Sequence, residues 1–162
     1  MFRSFMSVAL EEARASAARG EVPVGACVTR GDAVVARAGN AMRAEADPTA
    51  HAEMRAIRAA AAARGGRLED CTLWVTLEPC AMCAGAIAHA KLGRVVFGAP
   101  DPKSGGTVHG ARVLDRPQAH ATVEVVGGVD EAECAALLRL FFAARRQSST
   151  PSRAGPGSAS TA

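Results

Sequence analysis

Four residues in two short segments have the types and spacing of a metal-dependent catalytic site. His51 and Glu53 stand two positions apart in PTAHAEMRAI, and Cys80 and Cys83 stand three positions apart in TLEPCAMCAGAI. Zinc takes imidazole and thiolate ligands in tetrahedral geometry, and a catalytic zinc site leaves one position open for water. We therefore expect one Zn²⁺ per chain, held by His51, Cys80 and Cys83. Glu53 is then placed to take a proton from water in the open position.

Other uses of these residues remain open at this point. Cys-x-x-Cys alone is a weak signal, because thioredoxin-like redox proteins also place it after a strand at the start of a helix. A structural zinc ribbon needs a second Cys-x-x-Cys or a closely spaced histidine pair, and the sequence contains neither. The combination of His-x-Glu with a later Pro-Cys-x-x-Cys is typical of zinc-dependent nucleobase deaminases. This combination favours a catalytic zinc site over a redox dithiol or a structural zinc.

The segments around these residues carry alternating helix and strand patterns. Apolar residues at helical spacing predict a first helix that Gly20 closes, and two β-branched runs after it predict a hairpin. Asp47 as N-cap and Pro48 in the first turn predict a helix over residues 49–63, with His51 in its first turn. The run CTLWVTL predicts a strand, and the cysteine segment starts a helix directly after it.

The remainder of the pattern completes an α/β fold. GRVVFGA and ATVEVV predict two more strands, and Asp130 with Glu133 predicts a capping box at the start of a last helix. The resulting order, α-β-β-α-β-α-β-β-α, predicts a three-layer α-β-α domain. It has a mixed sheet of about five strands with helices on both faces.

Composition limits the domain organisation and the location. Residues 148–162 contain Ser, Pro, Gly and Ala with no large apolar side chain, so we predict a folded domain over residues 1–147 and a disordered tail over 148–162. No apolar run approaches the roughly 20 residues of a membrane span, and the first segment lacks the apolar centre of a signal peptide. We therefore expect a cytoplasmic protein with no membrane partner. The net charge of +3 permits a polyanionic partner without requiring one.

The remaining cysteines and histidines have ordinary structural interpretations. Five cysteines, an odd number, argue against a disulfide framework. Small buried apolar positions are expected for Cys27, Cys71 and Cys134. The other histidines are expected to be solvated or structural, since the ligand set is already complete: His89, His109 and His120.

Several segments, in order and at matching spacing, closely resemble the bacterial tRNA-specific adenosine deaminases. They are EVPVGA, the asparagine at position 40, DPTAHAE, LWVTLEPCAMCAGAI, GRVVFGAPDPKSG, DEAECAALL and FFAARRQ. The resemblance implies a cytidine deaminase-like fold and a homodimer. It also implies hydrolysis of a C–N bond in an amidine, converting adenosine to inosine at the wobble position of a tRNA anticodon.

The resemblance also implies roles for individual residues. Asn40 and the backbone of Ala52 would hold the flipped base, Val24 would form part of the pocket wall, and Asp101 would contact substrate. At the end of the last helix, Phe142, Arg145 and Arg146 would contact the anticodon stem-loop. Taken from the residues alone, Asn40 fits a simple turn residue. The two arginines equally fit a solvated last turn that complements the helix dipole.

The sequence leaves two alternative functions. A deaminase of a small free base or nucleoside, of guanine or cytosine type, would use the same zinc chemistry. An RNA-binding module that has lost catalysis is poorly supported, because all four catalytic positions are intact.

Overall fold

The four helices and five strands follow one another in the order that the sequence predicts. The computed structural model describes residues 3–148. The elements are α1 (Met6–Ala18), β1 (Gly25–Arg30), β2 (Ala33–Gly39), α2 (Ala52–Arg64), β3 (Thr72–Leu77), α3 (Ala81–His89), β4 (Arg94–Ala99), β5 (Glu124–Val126) and α4 (Glu131–Ser148). A 3-10 turn, Val113–Asp115, lies between β4 and β5. The predicted tail lies outside the described residues, except for Ser148, which ends α4.

The strands form one mixed sheet in the order β2-β1-β3-β4-β5. Strands β3, β4 and β5 run parallel, whereas β1 is antiparallel to both β2 and β3. The C-terminal ends of β2, β3 and β4 therefore lie along the same edge of the sheet. Helices α2 and α3 begin close to this edge, and it carries the candidate site. The prediction of a five-stranded mixed sheet is confirmed.

Two hydrophobic clusters cover the two faces of the sheet. On one face Leu73 and Val75 pack with residues of α2 and α3, such as Ile87. On the other face Trp74 packs with residues of α1 and with Cys134 of α4. Alternate residues of β3 thus face opposite layers, as the two-residue period of a strand requires. This burial fixes the sheet between two helix layers and gives the predicted three-layer architecture.

Helix α2 begins later than predicted. The carboxylate of Asp47 accepts hydrogen bonds from the backbone N–H and the hydroxyl of Thr49, at 2.8 and 2.7 Å. These bonds close a local turn, a common alternative to helix capping for aspartate. His51 is the N-cap, with extended backbone at φ −68° and ψ 152°. The prediction of Asp47 as N-cap and Pro48 in the first turn was therefore wrong.

The start of α4 also differs from the prediction. Asp130 has a positive φ of 53°, and Glu133 forms an ion pair with Arg14 of α1. Glu133 therefore links two helices and does not close a capping box.

None of the helices in the described part of the chain has both the length and the apolar content that a bilayer crossing needs.

Candidate metal centre and active site

The candidate metal ligands lie where two helices begin at the same edge of the sheet. His51 is the N-cap of α2 and Cys80 is the N-cap of α3, both with extended backbone. Neither side chain makes a capping hydrogen bond to its own helix. Cys83 lies in the first turn of α3 and is fully buried. The helix starts therefore bring one imidazole and two thiols together.

The three donor atoms have the spacing that a zinc ion requires. His51 Nδ1 lies 3.7 Å from Cys80 Sγ and 3.5 Å from Cys83 Sγ. All three donor atoms lie within 4.8 Å of one another. With Zn–S at about 2.3 Å and Zn–N at about 2.0 Å, tetrahedral geometry separates a sulfur ligand from a nitrogen ligand by about 3.6 Å. The residues present thus fit Zn²⁺ in number, chemistry and spacing.

The local electrostatics favour a thiolate at Cys80. Hydrogen bonds from Cys83 and His51 lower the pKa of the Cys80 thiol to about 4, although burial acts in the opposite direction. The start of α3 adds backbone N–H groups that stabilise negative charge. A thiolate is the form in which cysteine binds metals.

Glu53 lies in the first turn of α2, beside the ligand cluster. Its side chain is buried, with the residue only 4% exposed. Burial raises the pKa of this carboxyl to about 7. A carboxyl group that titrates near neutral pH can both accept and return a proton, which is the requirement for acid–base catalysis. The sequence placed this residue beside the metal ligands, and the structure does the same.

A cavity of about 190 Å³ opens next to the ligands and Glu53. It is lined by all four residues that the family resemblance associates with the base or its surroundings: Val24, Asn40, Ala52 and Asp101. Backbone bonds position Asn40, whose N–H donates to the Val24 carbonyl at 2.9 Å and whose carbonyl accepts from the Ser16 hydroxyl at 3.1 Å.

The three residues suggested on the last helix do not line this cavity. Phe142 is 43% exposed. The guanidinium of Arg145 lies over the ring of Phe141, 5.0 Å from its centroid. Arg146 is exposed on the same last turns of α4.

Sequence reasoning missed the importance of Glu78, which lies between β3 and α3. Its side chain is fully buried. The carboxylate accepts backbone N–H bonds from Asp101 at 3.0 Å, Val108 at 3.0 Å and His109 at 2.9 Å. It also accepts from the Thr107 hydroxyl at 3.0 Å and contacts His109 Nδ1 at 2.7 Å.

These bonds hold the loop of residues 101–109 against the candidate site. Burial alone would raise the pKa of the Glu78 carboxyl, but the hydrogen bonds from Asp101 and His109 outweigh it and lower the pKa to about 2. The loop places Asp101 and Ser104 in the cavity wall. The one sequence signal was an acidic residue directly before Pro-Cys in an otherwise apolar stretch. Because His109 bonds to Glu78 through both its backbone N–H and its ring, it has a structural role. The sequence predicted that this histidine would be either solvated or structural.

Comparisons with known proteins agree with the zinc site and the fold. The family described as the cytidine and deoxycytidylate deaminase zinc-binding region matches residues 2–99. A tRNA-specific adenosine deaminase of Agrobacterium fabrum (strain C58) is 46% identical over 143 residues, covering 88% of this chain and 94% of that relative. The predicted zinc cofactor is confirmed at the level of the family.

Solved structures of deaminases are also similar to this chain in fold and sequence. One, from a study of A-to-I editing by tRNA:A34 deaminases at the wobble position of transfer RNA, has a TM-score of 0.80 and 46% identity. It covers 83% of this chain and 98% of its own. A guanine deaminase from Nitrosomonas europaea has a TM-score of 0.74 at 25% identity, covering 85% of this chain and 82% of its own. This chain belongs to the cytidine and deoxycytidylate deaminase family, in the branch of the tRNA-specific adenosine deaminases.

Proposed function

We propose that this protein is a zinc-dependent hydrolase that deaminates adenosine to inosine at the wobble position of a tRNA anticodon, releasing ammonia. The observation that carries the proposal is the cavity beside His51 and Cys80, which is lined by the buried Glu53 and by Asn40. The high identity to a tRNA-specific adenosine deaminase supports the same substrate.

The residues of the site divide the chemistry between them. His51, Cys80 and Cys83 would hold zinc, which lowers the pKa of a water molecule enough to make it a nucleophile near neutral pH. Glu53 takes the proton from the water that attacks C6 of adenine and passes it to the ring nitrogen. The proton of the hydroxyl newly added at C6 then moves to the amino group, so that the C6–N bond breaks, ammonia leaves and the C6 carbonyl of inosine forms. Burial raises the pKa of the Glu53 carboxyl, which favours uptake of the proton from water.

The cavity has the size for a single base. Its volume of about 190 Å³ is smaller than the roughly 300–1,000 Å³ of pockets for drug-sized ligands. An unpaired loop base can be extruded into such a pocket at lower cost than a base in a duplex. Val24, Asn40 and Ala52 form walls that would hold the flipped adenine. The rest of the RNA must then lie on the surface of the protein.

Outside the cavity, the exposed end of α4 supplies candidates for RNA contact. RNA recognition stacks unpaired bases on aromatic side chains and follows phosphates with arginine. We propose Phe142, Arg145 and Arg146 for these roles. The exposure of Phe142 supports this assignment.

A cytoplasmic location and a homodimer complete the proposal. Small residues on a helix surface would permit close packing of a second chain. In α3, however, Ala84 and Ala88 are buried in the chain's own core, whereas Ala81 is exposed. The dimer therefore rests mainly on family membership. Light scattering at micromolar concentration is expected to give twice the chain mass.

Initial rates on four substrates test the proposed function. We expect an anticodon stem-loop with a wobble adenosine to be deaminated roughly 10²-fold faster than free adenosine, because flanking contacts orient the target carbon. Guanine and cytosine should be poorer still. A stem-loop with the adenosine moved by one position is the matched control. If the stem-loop with the wobble adenosine is not the best of the four substrates, the tRNA assignment is rejected and only a zinc deaminase remains.

Deamination of a small free base is the second candidate. The likeness to a guanine deaminase at 25% identity favours it specifically. This alternative predicts fast turnover of free guanine and little effect of salt. It also predicts that replacing Arg145 and Arg146 by alanine leaves the rate unchanged.

A further inference from the structure

A second, basic cleft lies next to the candidate active site. It has a volume of about 570 Å³ and is bounded by the end of α1, by β2 and by the outer face of α2. Four arginines line it against two glutamates. They are Arg19, Arg37, Arg55 and Arg58, with Glu12 and Glu45.

The glutamates pair with only two of these arginines. Arg37 contacts Glu12 at 3.3 Å, and Arg55 contacts Glu45 at 2.9 Å. Arg55 also donates to the Gly39 carbonyl at 2.6 Å, which fixes its guanidinium at the end of β2.

Two of the cleft arginines have no carboxylate of the described residues within ion-pair distance. Within residues 3–148, neither Arg19 nor Arg58 forms an ion pair, and both side chains are exposed. Arg19 makes a hydrogen bond of 3.3 Å to the Ser16 hydroxyl. Hydrogen bonds from Thr49 are the main cause of the lowered pKa of Asp47, and the charge of Arg58 adds to it. The cleft therefore carries an excess of positive charge.

One chain segment separates the cleft from the active-site cavity. Gly39 and Ala41 line the cleft, whereas Asn40 and Met42 line the cavity. Helix α2 divides in the same way, with Glu53 on the cavity side and Arg58 on the cleft side. The cleft therefore lies directly beside the cavity, across residues 39–42, where a strand whose base enters the cavity would continue.

We infer that this cleft binds phosphodiester groups of the RNA strand whose base occupies the active-site cavity, with Arg19 and Arg58 as the principal contacts. The inference rests on the proposed function for the identity of the RNA. Arginine guanidinium groups match the geometry of phosphate oxygens and can bind them with two parallel hydrogen bonds. Continuity with a base-sized cavity favours RNA over an acidic protein segment, which carries no nucleobase to place there.

Binding of the zinc-loaded full chain to the stem-loop at several salt concentrations tests the inference. The variant is Arg19→Gln/Arg58→Gln, which keeps a polar group at the end of each side chain and removes two charges. Each phosphate contact to a single strand contributes about −0.7 to the slope of log affinity against log salt. We expect the double variant to reduce that slope by about 1.4 and to weaken binding by about tenfold or more at 0.1 M salt. KM for the stem-loop should rise while kcat, zinc content and Tm remain near wild type.

The matched control is Arg67→Gln/Lys91→Gln, which removes the same charge from two exposed side chains near the N-terminal ends of β3 and β4, at the opposite edge of the sheet. It should bind RNA within about twofold of wild type, since its charges lie far from the cavity. Equal losses in both double variants would overturn the inference by showing a general charge effect. Unchanged RNA affinity in the Arg19/Arg58 variant would also overturn it.

Two further probes separate other anions from RNA. If the Arg19/Arg58 variant loses binding of inorganic phosphate or of poly-glutamate but keeps RNA affinity, the cleft serves a small anion or an acidic protein, and the inference fails. Binding and deamination are measured separately, so the two proposals can be distinguished. A stem-loop that binds through the cleft but is not deaminated would contradict the proposed function and support the cleft.

Discussion

Replacing Glu78 by glutamine should destabilise the protein strongly, although the side chain keeps its size and shape. Both carboxylate oxygens accept hydrogen bonds, one from Thr107, Val108 and His109, and the other from the Asp101 N–H and His109. In either orientation, the NH₂ group of glutamine would face at least one backbone N–H. A buried donor left unsatisfied costs about 1–3 kcal/mol, and bonds to a neutral acceptor are weaker than bonds to a charged one.

Together these effects predict a loss of about 3 kcal/mol in the free energy of unfolding. For a chain of this size, this corresponds to a fall in Tm of about 6–12 °C. KM should also rise, because the loop that places Asp101 and Ser104 in the cavity wall loses its anchor. Zinc content should stay at about one per chain, since Glu78 is not in the ligand cluster.

Urea unfolding of the zinc-loaded protein measures this effect, with Glu124→Gln as the matched control. Glu124 forms an exposed ion pair with Arg94 at 2.7 Å. Exposed pairs contribute about 0–1 kcal/mol. If Glu78→Gln destabilises the protein no more than Glu124→Gln, the role of Glu78 as the anchor of residues 101–109 is refuted.

Three other predictions concern the metal, the proton transfer and the packing of glycines. Cys83→Ser should reduce zinc well below one per chain by elemental analysis, whereas Cys71→Ser should retain it; full zinc in both would exclude Cys83 as a ligand. Glu53→Gln should keep zinc and Tm but lose about 10²–10⁴-fold in turnover, and a rate within tenfold of wild type would contradict its role. Gly25→Ala should prevent stable folding, because the added Cβ would lie 2.0 Å from the Ala9 carbonyl oxygen. Gly85→Ala meets nothing within 4 Å in α3 and should stabilise by about 0.5–1 kcal/mol; equal Tm changes in the two glycine variants would refute the packing argument.

The sequence was sufficient to predict the architecture and the three side chains that cluster as candidate metal ligands. Strand and helix periods are local properties, and the helices and strands therefore appeared in the predicted order. The clustering of His51, Cys80 and Cys83 could be predicted because metal ligands need particular donor types at particular spacings. The first residue of α2 could not be predicted reliably. Asp47 suits both a helix cap and a local turn, and only the bonds to Thr49 decide between them.

The parts of the site that the sequence did not reveal depend on contacts between distant segments. The partners of Glu78 lie 23 to 31 residues further along the chain. Arg19 and Arg58 meet in one cleft only because α1 and α2 pack against the same strand, β2. No local period or short motif encodes such meetings. A carboxylate before Pro-Cys or an arginine on an outer helix face looks, in sequence, like an ordinary solvated residue.

The metal ligands also occupy positions that would otherwise stabilise the two helices. Ser, Thr, Asp or Asn at an N-cap usually satisfies an orphan N–H, and its loss costs about 0.5–2 kcal/mol. His51 and Cys80 hold these positions in α2 and α3 without making a capping bond. Their donor atoms point instead to a shared position with Cys83. His51 and Cys80 therefore stand where capping residues would otherwise be, and zinc ligation would supply stability that these two positions do not give as caps. This coupling is the physical reason why loss of Cys83 should lower stability as well as metal content.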